Sequence, residues 1–244
     1  NVAHLVRTLG GESLYGNQAD PLLIPVRELI QNARDSIAAR RLVDRGYEGR
    51  IVIRTFDLDD TYSRLVVEDN GIGMSERVLT GPLLDFGTSF WASELVKDEF
   101  PGLASSGFRS SGKYGVGFYS VFMVADRVAV TSRRWESGLD GSLQVQFPDG
   151  LSLRPMVTAE RPSYYSMSSS TTVALDIKKS KHPVVEVSMT HGNNLQFSVP
   201  LHEGIKTLCA ALDVPVNYRH GDGREETIHS GKIPEDSESA YGWL

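Results

Sequence analysis

Three groups of residues carry types and spacings that could do chemistry. Glu28, Asn32 and Asp35 follow one another at i, i+4 and i+7, which puts a carboxylate, a neutral oxygen ligand and a second carboxylate on one stripe of a helix. A carboxylate there could take a proton from water, and an amide oxygen one turn away could hold a hard cation. Read alone, the stripe is first an ordinary solvated helix face, and the functional signal is weak. Asp69-Asn70-Gly71-Ile72-Gly73-Met74 follows an apolar run. Its carboxylate could accept a hydrogen bond from an exocyclic amine of a flat ring, with glycines permitting close backbone approach. The same Asn-Gly pair would also make a plain turn. Gly112-Lys113-Tyr114-Gly115-Val116-Gly117-Phe118 precedes another apolar run. Glycine-rich backbone at a helix start is either a phosphate cradle or a hinge.

Other chemistries are excluded by pattern. Gly107 to Lys113 imitates a P-loop, but Tyr114 stands where Ser or Thr should ligate magnesium, and no buried strand precedes it. Neither Gly-x-Gly pair completes a dinucleotide fingerprint. His4, His182, His191, His202, His220 and His229 show no i, i+4 pairing, and no Ser sits in a Gly-x-Ser-x-Gly elbow. The single cysteine, Cys209, cannot make a disulfide framework and falls on an apolar helix face, where an inert buried thiol is expected.

These groups need elements to position them. Leu22, Val26, Leu29, Ile30, Ala33 and Ile37 recur at helical spacing, predicting an amphipathic helix over 22–43, with Pro21 and Pro25 near its start. Two strands are expected over 50–56 and 64–68, joined by the polar turn at 57–60. Residues 75–111 are broken by glycines and prolines and form a long connection of the kind that serves as a lid or a binding loop, partly helical near 92–98. A buried helix is expected over 118–125. Strands should follow at 127–133, 143–147, 151–154, 172–177 and 184–188, then a helix over 202–212 and strands at 214–218 and 226–229. Helices early and strands late predict an α+β fold.

The 244 residues carry 25 basic and 31 acidic side chains, a net charge of −6, which argues against a protein built to neutralise nucleic acid. No apolar run reaches the roughly 18 residues that cross a bilayer. A cytoplasmic protein without membrane contact is expected. The start at Asn1, without an initiator Met or signal core, predicts a piece of something longer.

The order of the motifs resembles the ATPase superfamily that joins DNA gyrase, the ninety-kilodalton heat-shock (HtpG-like) chaperones, histidine kinases and MutL, the GHKL or Bergerat fold. Arg27-Glu28-Leu29-Ile30-Gln31-Asn32-Ala33 is similar to the first motif of the heat-shock chaperones. Gly115 to Asp126 is similar to their third, and Ser13-Leu14-Tyr15 and 208–218 fit the two ends of their N-terminal domain. The resemblance implies a two-layer α/β sandwich with a mixed, mostly antiparallel sheet, forming one domain over 1–244. It further implies ATP/ADP and Mg2+ as ligands. Asp69 would hold the adenine amine, with Gly73, Met74 and Thr171 completing the base pocket. Asn32 would hold magnesium and Glu28 would activate water, with Asp35 grouped among the nucleotide-binding residues. Gly112, Tyr114, Gly115, Val116, Gly117 and Phe118 would wrap the phosphates under a lid at 75–111.

Asp85 stands near the place of a lysine in the family lid, and Ser170 replaces a glycine before Thr171. Both mark a divergent relative. The function implied is slow ATP hydrolysis driving a chaperone-like homodimer that handles client proteins, dimerised through regions beyond this chain, with the catalytic cation from a following domain. A nucleotide-sensing switch without significant hydrolysis, and phosphoryl transfer of the histidine-kinase kind, stand as alternatives.

Overall fold

A computed structural model of the chain describes residues 20–112, 115–179, 184–191 and 193–232. The first helix, α1 (Leu23–Val43), starts where Asp20 accepts the Leu22 and Leu23 N–H groups through its side chain and carbonyl, at 2.8 and 3.0 Å. The apolar positions named from spacing, Leu22 through Ile37, are all buried. Strands β1 (Ile51–Asp57) and β2 (Tyr62–Asp69) form a hairpin whose turn is closed by Asp59, which accepts the Thr61 and Tyr62 N–H groups at 2.7 and 2.8 Å.

The segment after β2 contains two short helices before residue 100, α2 (Glu76–Thr80) and α3 (Leu95–Glu99), and then α4 (Pro101–Ala104). The helix expected over 92–98 is instead a 3-10 turn at Phe90–Ala92, a break, and α3. Val96, Phe100 and Leu103 bury themselves with Ala39 of α1 and Ile72, so the segment carries a small core of its own.

The remaining strands are β3 (Arg127–Ser132), β4 (Leu143–Leu151), β5 (Met156–Thr158), β6 (Thr171–Lys178), β7 (Val184–His191), β8 (Asn193–Pro200), β9 (Pro215–Arg219) and β10 (Glu225–Ser230), with α5 (Leu201–Leu208) between β8 and β9. Eight strands form one sheet in the order β10-β9-β1-β2-β6-β3-β4-β5. Among the described residues only β1 and β9 pair in parallel, so the sheet is mixed and mostly antiparallel, as expected. β7 and β8 pair separately as a hairpin.

Further sequence expectations change, and the helix expected over 202–212 ends at Leu208. Residues 118–125 are not an α-helix but a 3-10 turn over Gly117–Met123, held by edge-to-face contacts of Phe118 with Tyr119 and Phe122. The strand expected at 151–154 is instead the last residue of β4, Leu151, followed after a break at 152–155 by β5. β8 has no counterpart in the sequence reading.

One face of the sheet is apolar. Ile53, Val67, Val173, Val130 and Val145 lie in one register row across β1, β2, β6, β3 and β4, packed with Val26, Ile30 and Ile37 of α1 in a single core. The opposite face is polar, with Asp176 paired to Arg64 at 2.6 Å and to Arg127 at 2.9 Å. Cys209 is fully buried as expected, and burial pushes its thiol up to about 12.

Candidate nucleotide site

The site lies where the apolar face of the sheet runs out. One row beyond Val67, Val173 and Val130, the register places Asp69 of β2, Thr171 of β6 and Ser132 of β3 side by side. Paired residues in antiparallel strands project to the same face, so these three polar side chains continue the core row and replace its valines. A cavity of about 400 Å3 opens above them, bounded on its other side by α1.

At this sheet end every residue of the 69–74 turn is fixed. Asp69 Oδ1 accepts the Gly71 N–H at 2.8 Å and the Ser36 hydroxyl at 3.0 Å. The Asn70 carbonyl receives Arg40 at 2.8 Å, and its side-chain oxygen receives the Arg50 N–H at 2.8 Å. Ile72 donates its N–H to the Ser36 carbonyl and accepts the Trp135 N–H, both at 3.0 Å, while Met74 donates to Ser132 Oγ at 3.0 Å. Gly73 has φ +70, and a Cβ there would overlap the Arg133 carbonyl. The Asn-Gly pair therefore makes no hairpin; it brings a carboxylate to the cavity wall. Burial pushes the Asp69 carboxyl up to about 7, with the Gly71 and Ser36 hydrogen bonds pulling the other way.

The α1 side of the cavity is more open. Glu28 and Asn32 both line it, and Glu28 is bonded to Arg27 at 3.1 Å. Gly117 packs so closely that a Cβ would overlap the Glu28 carboxylate, and a Cβ on Gly112 would lie 3.9 Å from Asn32 Oδ1. Asp35 does not line the cavity. It is 1% exposed, and its Oδ2 accepts the Ser111 N–H at 2.7 Å, the Ser111 hydroxyl at 2.8 Å and the Gly112 N–H at 3.4 Å. Asp35 thus anchors the glycine loop from behind, correcting its grouping with the cavity residues. The Gly112 amide is turned toward Asp35, while Gly112 itself and Gly115 to Phe118 line the cavity as described parts of the loop. In the 3-10 turn the first bond runs from Tyr119 N–H to the Val116 carbonyl, so the Gly117 and Phe118 N–H groups precede it.

The structure thus brings Glu28, Asn32, Asp69, Gly73, Met74, Gly112, Gly115, Val116, Gly117, Phe118 and Thr171 around one cavity. Tyr114 and the 13–15 segment lie outside the described residues. Sequence reading missed Ser36, Ser132 and the lid aromatics Phe90 and Trp91, which also line or support the cavity. Ser36 was within reach, because it extends the Glu28–Asn32 spacing by one further turn; Ser132 had no local signal.

No Arg or Lys lines the cavity among the described residues. Asp85 is exposed and lies near Tyr119, whose hydroxyl is pushed up to about 12, chiefly by burial. Among the described residues no cluster of His, Cys, Asp and Glu could hold a metal ion unaided. The oxygen of Asn32 suits a hard cation that draws its other ligands from a bound anion. No helix of the described residues is long and apolar enough to cross a membrane.

Comparison with known proteins gives the same picture. The family described as histidine kinase-, DNA gyrase B-, and HSP90-like ATPase matches residues 23–149, from α1 into β4. Among curated relatives, the chaperone protein HtpG of Anaplasma marginale (strain St. Maries) is 31% identical over 242 residues, spanning 93% of this chain and 32% of that protein. HtpG of Rhodopseudomonas palustris (strain BisB18) is 32% identical over 193 residues, 72% of this chain and 29% of the relative. HtpG of Chlorobaculum tepidum (strain ATCC 49652 / DSM 12025 / NBRC 103806 / TLS) is 38% identical over 125 residues, 48% of this chain and 20% of the relative. The chain spans about a third or less of the length of these relatives. Its sheet, its cavity and the matched span agree: the chain belongs to the histidine kinase-, DNA gyrase B- and HSP90-like ATPase family.

Proposed function

We propose that this chain binds ATP and ADP in the 400 Å3 cavity, base toward the sheet and phosphates toward α1, and hydrolyses ATP slowly. The observation that carries the reading is Asp69, a buried carboxylate at the cavity wall. Among the described residues its Oδ1 takes both hydrogen bonds made to the group, leaving Oδ2 for a donor such as an adenine amine. Thr171 stands beside it on the neighbouring strand. The Gly115–Phe118 backbone supplies N–H groups for the phosphates. Asn32 Oδ1 is the protein ligand for Mg2+, which when bound neutralises phosphate charge. Glu28, against Gly117, orients water and accepts its proton.

In the parent protein this chemistry would drive conformational cycling of a cytoplasmic, HtpG-like homodimer acting on client proteins. The similarity to HtpG relatives supports that extension. A second reading, a nucleotide-sensing switch without significant hydrolysis, is favoured by one observation: no basic side chain lines the cavity among the described residues. Titration and turnover of Glu28→Ala separate the two. The hydrolysis reading expects unchanged ATP affinity with turnover reduced at least about 100-fold, within the range of general-base loss. Wild-type turnover no faster than solvent hydrolysis, or unchanged turnover in the variant, contradicts it.

A further inference from the structure

Behind Thr171, fully buried and outside the cavity lining, lies Ser132. Its hydroxyl has one proton and two lone pairs, and three neighbours compete for them. The Met74 amide, 3.0 Å away, can only donate. The Ser170 carbonyl, at 3.1 Å, can only accept. Thr171 Oγ1, at 2.9 Å, can do either. The Ser132 proton therefore goes to Ser170 or to Thr171. The Ser170 carbonyl already accepts the Arg133 N–H at 3.0 Å, so it keeps a partner if the Ser132 proton turns away. Once Ser132 donates to Thr171, the Thr171 proton must point elsewhere, and the open side of that residue is the cavity.

We propose that Ser132 is a positioning residue that sets the Thr171 hydroxyl as a donor toward the ligand, selecting a base with a ring-nitrogen acceptor beside its exocyclic amine. The inference rests on the reading of Asp69 as the acceptor for that amine. In a 6-aminopurine both ring nitrogens flanking the amine, N1 and N7, are acceptors, so either can meet the Thr171 proton. A 6-oxopurine presents the opposite polarity on its six-membered ring: its oxygen faces the Asp69 carboxylate, and N1 carries a proton. Selection follows from one row of the sheet, since Asp69, Thr171 and Ser132 are register partners on β2, β6 and β3.

The test is calorimetric titration of four nucleotides into the wild-type chain and Ser132→Ala: ADP, 1-deaza-ADP, 7-deaza-ADP and purine riboside 5′-diphosphate, which lacks the amine. Ser132→Ala is expected to weaken ADP about tenfold, the scale of one neutral hydrogen bond. That penalty should persist for purine riboside diphosphate, vanish for one of the two deaza analogues, and disappear in a Thr171→Val background. An equal penalty on all four nucleotides, or one that survives Thr171→Val, means Ser132 acts through Met74 alone and overturns the inference. If Ser132→Ala does not fold, Ser132→Cys, which keeps the shape with a weaker donor, carries the same comparison with a smaller loss. Equal wild-type affinity for ADP and purine riboside diphosphate would overturn the Asp69 reading and this inference with it. Wild-type discrimination that Ser132→Ala leaves intact would overturn this inference alone.

Discussion

The two ends of the cavity are built differently. At the sheet end, the position of each polar side chain is set by strand register, and the turn after β2 is pinned by backbone and buried side-chain hydrogen bonds at residues 69 to 74. At the α1 end, among the described residues, the glycine loop is held by the buried carboxylate of Asp35 and by lighter links from the lid. Those links are Ser89 Oγ to the Gly112 carbonyl and Gly87 N–H to the Gly115 carbonyl, both at 3.2 Å. Register cannot shift by less than a residue without moving the core row as well. The described parts of the loop, held through one buried carboxylate and a few exposed bonds, are less firmly fixed than that row. On the proposed nucleotide reading, the base would meet the register-fixed wall and the phosphates the more lightly tethered end.

Adding one methyl group to each end tests the contrast most strongly. Gly73→Ala forces a Cβ onto the Arg133 carbonyl at a positive φ, where backbone cannot yield. Overpacking and the left-handed conformation together should cost about 3 kcal/mol, lowering the melting temperature and weakening adenosine and ADP alike by about 100-fold. Gly117→Ala meets only the end of the Glu28 side chain, which can rotate away. It should leave adenosine binding intact and reduce turnover instead. Equal loss of adenosine affinity in both variants would erase the distinction between the ends.

The buried carboxyl gives the sheet end a pH signature. Asp69 titrates at about 7 in the folded chain and near 4 in an unfolded one. Between those values the folded state holds one more proton, so stability is full below about pH 4 and falls as pH rises to about 7. Asp69→Asn should remove this slope, worth about 1.4 kcal/mol per unit of displacement. The check is the difference between wild-type and variant unfolding free energies of the unliganded chain across pH 4 to 8. A difference that stays flat contradicts the burial of an ionisable group there.

A smaller effect is expected at the other end. Asp35→Asn replaces a charge-assisted anchor by a neutral one, at a cost of about 1 kcal/mol to the ordered loop. ATP should bind about fivefold more weakly and adenosine as before. A loss shared by both ligands would place Asp35 in the support of the whole cavity.

The same contrast explains what was legible in the sequence. α1 and the central strands follow from periodicity, because burial on one face imposes a pattern on consecutive residues. Glu28, Asn32 and Asp69 were legible because glycines and helical spacing surround them. The 3-10 geometry of 117–123 was not, since its aromatic residues are apolar on every side and fit either helix type. β8 was hidden by Asn193, Asn194 and Pro200 at its ends. The loop partner of Asp35 is 76 residues away, which no local pattern encodes. Ser132 is the clearest case: an ordinary serine at a strand end, given meaning only by the register of β3 against β6.

The central claim is that the Asp69 carboxylate receives an adenine amine. Titration of ADP with Mg2+ into wild-type chain and Asp69→Asn at pH 8, where the wild-type carboxylate is ionised, tests it most directly. One-to-one binding by the wild type, with the variant about 100-fold weaker, the scale of a lost charged hydrogen bond, is the predicted result. Equal affinity in the two proteins would contradict it.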